Sequence, residues 1–137
     1  MIRFTVPGDP VGKGRGRIGQ ANGKVWNVTP AKTRNYETMV RELATDAMAD
    51  WPMIWDLACW VRIEIYIKPP VSWSQKRQSE ALAGYWAPNH LDADNVAKAI
   101  LDGMNGIVFT DDKRVCDLSV WKSYARTPGV FVEAGLI

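Results

Sequence analysis

The chain has 137 residues, 47% of them hydrophobic and seven of them Trp, so one domain with a buried core is expected over residues 1–137. This composition excludes a disordered tail, and two cysteines are too few for a disulfide-stapled miniprotein. The net charge of +2 hides a division, because residues 1–41 carry a net charge of +6 and the remainder carries −4. We expect a cytoplasmic protein without a signal peptide or membrane span, with Cys59 and Cys116 as reduced, buried thiols.

The first half of the chain predicts short strands, a basic loop and a helix. In chain order, the predicted elements are a strand at 2–6, a mobile glycine-rich loop at 7–24, a short strand at 24–28 and a helix at 30–49. Thr29 fits the N-cap of that helix and Pro30 fits its first position, where the missing proline N–H costs nothing.

The second half predicts a buried strand, a long connection, a helix and two final strands. Strict alternation of apolar and polar residues predicts the strand over 60–68. A connection as long as 69–91 is functional, mobile or contains a further short helix. The remaining predicted elements are a helix at 94–105, closed by Gly106, and strands at 115–125 and 130–134. Helices and strands interspersed without regular βαβ alternation predict an α+β domain of two layers, with two helices against a mixed sheet.

An acidic segment around the second predicted helix carries the clearest chemistry. Asp94, Lys98 and Asp102 are spaced by four and therefore share one helix face, and Asp92 lies just before the helix. The pair at 111–112 follows the helix, and its return to the same end depends on the loop between. Carboxylates gathered within a few ångströms repel one another unless one is protonated or a cation binds. Hard oxygen donors favour Mg²⁺ or Mn²⁺, which can activate water for attack on a phosphodiester.

This segment also admits other interpretations, each of which requires particular residues. A structural interpretation stays open, in which Asp94 caps a helix, Lys98 is its i,i+4 partner and the Asp pair forms a turn. An EF-hand loop starting at Asp92 would need Gly and Glu at positions that hold Ala97 and Gly103. The haloacid-dehalogenase pattern lacks its preceding strand, and the glycines at 8–19 fit neither a dinucleotide fold nor a P-loop. We therefore expect no nucleotide cofactor.

The basic N-terminal segment predicts contacts with a phosphate backbone. The candidate DNA contacts are Lys13, Arg15, Arg17, Lys24, Lys32 and Arg34. The first three alternate with glycines, which places their charges along one edge of an extended chain. A solvated flexible loop is the alternative. We assign no role to His90, and we favour packing in the core or a dimer over base stacking for Trp73 and Trp86.

The segment 92–115 resembles the core of the RusA family of Holliday-junction resolvases, which is found in bacteria and their phages. The matching pattern is Asp92-x-Asp94-Asn95-x-x-Lys98-x-x-x-Asp102-Gly103-Met104-Asn105-Gly106, followed by Phe109-Thr110-Asp111-Asp112-x-x-Val115. The N-terminal third is also similar, with a short strand, a Lys/Arg-Gly stretch and a Thr-Pro entry into a helix. The Trp-rich stretch 69–91 departs from the family and puts the junction preference in question.

The resemblance implies a homodimeric, Mg²⁺- or Mn²⁺-dependent endonuclease of phage or prophage type that cuts paired strands of a four-way DNA junction. The residues matching Asp92, Asp94 and Asp112 are catalytic metal ligands in the family, and the lysine matching Lys98 is catalytic. Asp111 matches a weaker candidate, and Asp102 matches a motif position without an assigned catalytic role. Two alternatives are a nuclease acting on other branched DNA and a non-catalytic DNA-binding module with a structural Asp cluster.

Overall fold

The computed structural model describes residues 1–14, 17–28 and 30–137, with side chains described throughout these ranges except at 17–19 and 26–28. Its strands are β1 (Ile2–Pro7), β2 (Arg17–Ala21), β3 (Lys24–Val28), β4 (Cys59–Ile67), β5 (Val115–Tyr124) and β6 (Gly129–Leu136). Its helices are α1 (Ala31–Ala47), α2 (Gln75–Leu82) and α3 (Ala93–Met104), with a single 3₁₀ turn at Asp112–Arg114. No helix in the described ranges is long and apolar enough to cross a membrane.

A mixed four-stranded sheet in the order β1-β6-β4-β5 forms the main layer. Its pairs are antiparallel except β4 with β5, which run parallel. Val61, Ile63 and Ile65 of β4 are buried, as strict alternation predicts for a strand with one covered face. Helix α1 packs against β1, α3 packs against β4 and β5, and the two helices contact each other. The predicted α+β class and mixed sheet are confirmed.

The connection 69–91 contains α2, the further short helix that its length left open, so the described residues form three helices, of which α1 and α3 are the two predicted against the sheet. The Ser74 side chain caps α2 by accepting a hydrogen bond from the Arg77 N–H at 3.2 Å. The Arg77 guanidinium lies 3.9 Å from the ring centroid of Trp73 and 4.7 Å from that of Trp86. Trp73 also packs against the hydrophobic core. These contacts support packing as the role of both indoles.

The predicted mobile loop 7–24 is partly wrong, because β2 forms inside it and pairs with β3 as an antiparallel hairpin. The turn residues Asn22 and Gly23 have positive φ angles of 51° and 76°. An Asn-Gly pair is typical of two-residue hairpin turns, since both of its residues tolerate the left-handed conformation that matches the strand twist. The strand predicted over 24–28 is confirmed.

The start of α1 differs from the prediction by one position. Pro30 is the N-cap rather than the first helical residue, and its carbonyl accepts the first helical bond from the Arg34 N–H at 3.0 Å. Thr29, predicted as the N-cap, lies outside the described residues. The helix ends at Ala47, before the predicted end at 49.

The two cysteines have different surroundings. Cys59 is buried, as expected, but Cys116 is exposed, so the prediction of two buried thiols is wrong for the latter. The register of β4 and β5 shifts at this point, from Cys59 opposite Val115 to Trp60 opposite Asp117. Cys116 is therefore an extra residue without a partner in β4, on a strand at the sheet edge.

Candidate active site

Two exposed carboxylates stand at the start of α3. Asp92 is the N-cap and Asp94 lies in the first turn, where the partial positive charge of the helix terminus favours anions. The Asp92 side chain accepts a hydrogen bond from Asn95 Nδ2 at 3.3 Å and makes no bond to the N–H groups of the helix. The start of α3 therefore presents two carboxylates to solvent.

The middle of α3 carries an ammonium group between two carboxylates. The helix buries one apolar face on the core, and that face comprises the predicted Val96, Ala97, Ile100, Leu101 and Met104, together with Ala99 and Gly103. On another face, Lys98 Nζ lies 3.0 Å from Asp102 Oδ1 and 3.4 Å from Asp112 Oδ2. The hydrogen bond to Asp102 raises the pKa of Lys98, and attraction to both carboxylates outweighs the opposing effect of burial. Lys98 is thus a cation at neutral pH.

The loop after α3 returns to the helix, which answers a question that the sequence left open. Gly106 has a φ of 75°, and the buried Phe109 anchors the loop in the core. Trp55 brackets the loop with two backbone hydrogen bonds, to Val108 O at 2.8 Å and from Thr110 N at 2.9 Å. These bonds bring the 3₁₀ turn at 112–114 back to α3, and Asp112 meets Lys98 there.

A surface carboxylate that the sequence analysis did not single out braces this turn. Asp56 Oδ1 accepts hydrogen bonds from Thr110 Oγ1 at 2.7 Å and from Arg114 Nε at 2.9 Å. The bond from Thr110 and the charge of Arg114 hold the pKa of Asp56 below its usual value. No motif at Asp56 indicates this role, because its partners are more than fifty residues away in the chain.

Asp111 turns its side chain into the 3₁₀ turn. Its Oδ1 accepts a hydrogen bond from the Lys113 N–H at 2.9 Å, which holds the pKa of Asp111 below its usual value. This carboxylate caps the turn that carries Asp112. The turn predicted by the structural interpretation is therefore present, but the i,i+4 partner of Lys98 is Asp102 rather than Asp94.

Lys13 lies inside the protein's own charge network. Its Nζ lies 2.6 Å from Glu37 Oε1 of α1 and 2.9 Å from Asp102 Oδ2 of α3. Burial acts to lower the pKa of Lys13, but the hydrogen bonds that its ammonium group donates to both carboxylates outweigh it and raise the pKa. Asp102 therefore bridges two lysines, a contact that helical spacing predicts only for Lys98.

The predicted site residues are brought together only in part. Lys98 and Asp112 are in contact, whereas Asp92 and Asp94 stand together at the helix start. Within residues 1–14, 17–28 and 30–137, no three His, Cys, Asp or Glu side chains are grouped closely enough to hold a metal ion. The donor chemistry nevertheless fits a hard cation, because all three predicted ligands are carboxylates and two of them are exposed.

The predicted DNA contacts divide into exposed, internal and undescribed residues. Lys24, Lys32 and Arg34 are exposed. Lys13 is held by two carboxylates, Arg15 lies outside the described residues, and of Arg17 only the backbone is described. Their contact with DNA stays a prediction.

Comparison with known proteins identifies the family. The family model "Endodeoxyribonuclease RusA" matches residues 7–134. The chain is also 33% identical over 132 residues to the "Uncharacterized protein YqaN" of Bacillus subtilis strain 168, which covers 96% of this chain and 93% of that protein. The acidic residues at the start of α3 and the Lys98–Asp112 contact lie within the matched region. The chain belongs to the RusA family of endodeoxyribonucleases.

Proposed function

We propose that this protein is a Mg²⁺- or Mn²⁺-dependent endonuclease that resolves four-way DNA junctions by symmetric phosphodiester hydrolysis in recombination and repair. The membership in an endodeoxyribonuclease family gives the class of reaction. The observation that carries the proposal is the return of Asp112 to Lys98, 3.4 Å away, on the helix that starts with Asp92 and Asp94. It supports the proposal that the four residues act together, because Lys98 contacts Asp112 and belongs to the helix that begins at Asp92 and Asp94.

Asp92, Asp94 and Asp112 are the residues that would hold the cation. A bound divalent ion polarises the phosphoryl oxygen and lowers the pKa of water. Asp112 contacts Lys98 through Oδ2, at 3.4 Å, and its Oδ1 takes no part in that contact. The two carboxylates at the helix start are exposed and lie where substrate can reach them.

Lys98 acts as a fixed positive charge in this proposal. Its raised pKa keeps it protonated at neutral pH, so it cannot serve as the base that takes a proton from water. An ammonium group beside the reacting phosphate instead stabilises the negative charge that grows on the phosphoryl oxygens. Its side chain is 53% exposed, which leaves it accessible to DNA.

Exposed cations provide the proposed hold on the DNA backbone. Lys24 at the hairpin turn and Lys32 and Arg34 at the start of α1 project from the basic third of the chain. Such contacts fix the position of DNA without reading its sequence, and each neutralised phosphate adds to the salt dependence of binding.

The uncovered face of the sheet is the proposed contact between two subunits. Trp121 of β5, Glu64 of β4 and Phe131 of β6 lie side by side on it, opposite the helices. Trp121 is 64% exposed, although it is a large apolar residue. An exposed Trp on a sheet face without a covering helix would offer an apolar contact to a second subunit, and a two-fold dimer would present two acidic sites to the two strands of a junction.

A panel of DNA substrates tests the proposed reaction. Linear, flapped, forked and four-way DNA are incubated with the protein, with and without Mg²⁺ or Mn²⁺. Paired, symmetric nicks are expected in the four-way junction, and only with metal. Cleavage of flaps or forks without junction cleavage would replace the substrate class, and salt-sensitive binding without any product would favour the non-catalytic module.

Sedimentation of a Trp121→Lys variant tests the dimer. A charge placed in an apolar contact is costly to bury, so the wild type is expected to sediment as a dimer and the variant as a monomer. Tyr85→Lys is the matched control, because Tyr85 is 78% exposed in the connection after α2. A monomeric wild type, or a dimeric Trp121→Lys, would contradict this surface.

A further inference from the structure

Five charged side chains form one continuous line from α1 to the turn after α3. In order, they are Glu37, Lys13, Asp102, Lys98 and Asp112, with successive N–O distances of 2.6, 2.9, 3.0 and 3.4 Å. Carboxylates and ammonium groups alternate along the line, so every charge meets only opposite charges as immediate neighbours. Asp112, the last residue of the line, is a proposed metal ligand.

The backbone around Lys13 is built into the protein and is not a free loop. The Lys13 N–H donates to Asn95 O of α3 at 2.9 Å, and the Gly14 N–H donates to the buried Thr33 Oγ1 of α1 at 3.1 Å. A Cβ on Gly14 would lie 2.8 Å from Pro30 Cγ, and one on Gly12 would lie 3.3 Å from Asn95 Cβ. The glycines on both sides of Lys13 therefore let this segment fit between the two helices.

Close packing of the helices brings the partners of Lys13 together. A Cβ on Gly103 would lie 2.6 Å from Val40 Cγ1 and 3.1 Å from Glu37 O, so only glycine allows α1 to approach α3 this closely. Gly103 directly follows Asp102 in the chain. The close approach thus occurs where Glu37 and Asp102 share the Lys13 ammonium group.

We propose that Asp102, held in place by Lys13 and Glu37, is a positioning residue that aims Lys98 at the reacting phosphate beside Asp112. This inference rests on the proposed nuclease function for its consequence in catalysis. It also assigns Lys13 a role inside the protein. Its ammonium group is already paired with Glu37 and Asp102 and is therefore not free to pair with a DNA phosphate.

The physical reason lies in the freedom of a long side chain. An exposed lysine ordered at one point loses rotamer entropy and keeps its position only where fixed partners hold it. The Asp102 side chain is 18% exposed and the Lys13 side chain 29%, against 53% for Lys98. The more buried Asp102 and Lys13 therefore restrain the more exposed Lys98.

Asp102→Asn tests the positioning role. The single-turnover cleavage rate at saturating protein is expected to fall about tenfold or more, because small misplacements of a catalytic group are costly. The junction dissociation constant is expected to stay within about twofold, since no phosphate contact is removed. Asp102→Glu restores a carboxylate and should recover part of the rate, whereas Asp46→Asn, on the exposed surface of α1, should cleave like the wild type.

Lys13→Gln and Lys32→Gln separate positioning from DNA binding. Lys32→Gln should weaken junction binding and reduce its salt dependence by about one counterion, whereas Lys13→Gln should leave both unchanged and lower the cleavage rate. A wild-type cleavage rate in Asp102→Asn, or a loss of salt dependence in Lys13→Gln, would overturn the inference. Neither result would affect the proposed nuclease function if the wild type cleaves junctions.

A measurement without DNA covers the case in which the protein cleaves nothing. Acylation of lysines by a small amine-selective reagent, followed by mass spectrometry, reports how well each ammonium group is shielded and held. Asp102→Asn should increase labelling of both Lys98 and Lys13, and Asp46→Asn should change neither. Unchanged labelling in Asp102→Asn would overturn the positioning network even when the nuclease function has failed.

Discussion

The start and the middle of α3 carry the same residue types in different electrostatic surroundings. Asp92 and Asp94 at the start are exposed, and the Asp92 carboxylate accepts a hydrogen bond from the Asn95 amide. In the middle, Asp102 lies within 3.0 Å of two ammonium groups and Asp112 lies within 3.4 Å of one. Among the residues whose side chains the structure describes, none forms an ion pair with the carboxylates at the helix start, whereas lysines balance the charges of Asp102 and Asp112.

This difference separates two ways in which a carboxylate can serve a phosphoryl-transfer site. A carboxylate neutralised by lysines fixes the position of those lysines and gains little from a cation. Carboxylates left exposed and close in sequence repel each other, and a divalent ion relieves that repulsion. Asp112 stands at the boundary, with one oxygen on Lys98 and the other outside that contact.

Removing a charge at the exposed start should have the largest effect. Asp94→Asn is expected to lower the single-turnover cleavage rate of a four-way junction by at least about a hundredfold, because a proposed metal ligand is lost. Junction affinity measured without metal should be equal or slightly tighter, since a charge that repels phosphate is removed. The rate is measured in Mg²⁺ and the affinity by fluorescence anisotropy.

The matched variant at the middle of the helix sharpens this comparison. Asp102→Asn should cost less than Asp94→Asn, because it disturbs the aim of Lys98 without removing a ligand. Equal losses of cleavage rate in both variants would mean that Asp94 and Asp102 do not have different roles.

Pushing α1 and α3 apart should destabilise the fold where Glu37, Lys13 and Asp102 meet. Gly103→Ala places a Cβ within 2.6 Å of Val40 and is expected to destabilise the fold by about 1–3 kcal/mol, as overpacking does. Urea unfolding measures this change. Ser79→Ala, at an exposed position of α2, is the control and should stay within about 0.5 kcal/mol of the wild type. A Gly103→Ala variant as stable as the wild type would contradict the close contact.

Acid should weaken the ion pairs of Asp102 with Lys13 and Lys98, with a smaller effect on stability than Gly103→Ala. Burial acts to raise the pKa of Asp102, but hydrogen bonds from Lys13 and Lys98 outweigh it and hold the pKa below its usual value. The stabilisation is therefore complete above the unfolded value of about 3.9 and is lost as the pH falls through the folded value. The difference in unfolding free energy between wild type and Asp102→Asn should shrink below about pH 4.

Urea unfolding at a series of pH values checks this prediction, with Asp46→Asn as the surface control. The series extends from neutral pH to about pH 3, roughly one unit below the usual pKa of an aspartate. If the difference in unfolding free energy between wild type and Asp102→Asn stays constant over this range, the ion pairs of Asp102 contribute nothing to stability.

Elements that bury one regular face could be predicted from the sequence. The alternation in 60–68 and the three- and four-residue spacing in 94–105 both reflect burial on a single core, and both elements form there. Helix α2 gives no such signal, because Ala81 is its only buried residue. Its stability comes from a Ser cap and from an arginine stacked on two indoles, which no periodicity records.

The region of the proposed site could be predicted from the sequence, but the contacts inside it could not. The acidic motif marks the region, and i,i+4 spacing relates Lys98 to Asp102. The partners of Lys13, however, lie 24 and 89 positions away on two helices whose approach depends on Gly103. The same basic residue therefore has a DNA role by pattern and an internal role by geometry. The Asn22-Gly23 pair, by contrast, is a local signal typical of a hairpin turn, and it lies inside the segment predicted as a mobile loop.

The parallel pairing of β4 with β5 links the site to the order of chain assembly. Parallel neighbours require a crossover, and all four proposed catalytic residues lie in the crossover between Ile67 and Val115. Pairing of such distant segments is slow, since a long loop must close first. Asp112 lies three residues before β5 begins, so the pairing of β5 with β4 also sets the position of the turn that carries Asp112.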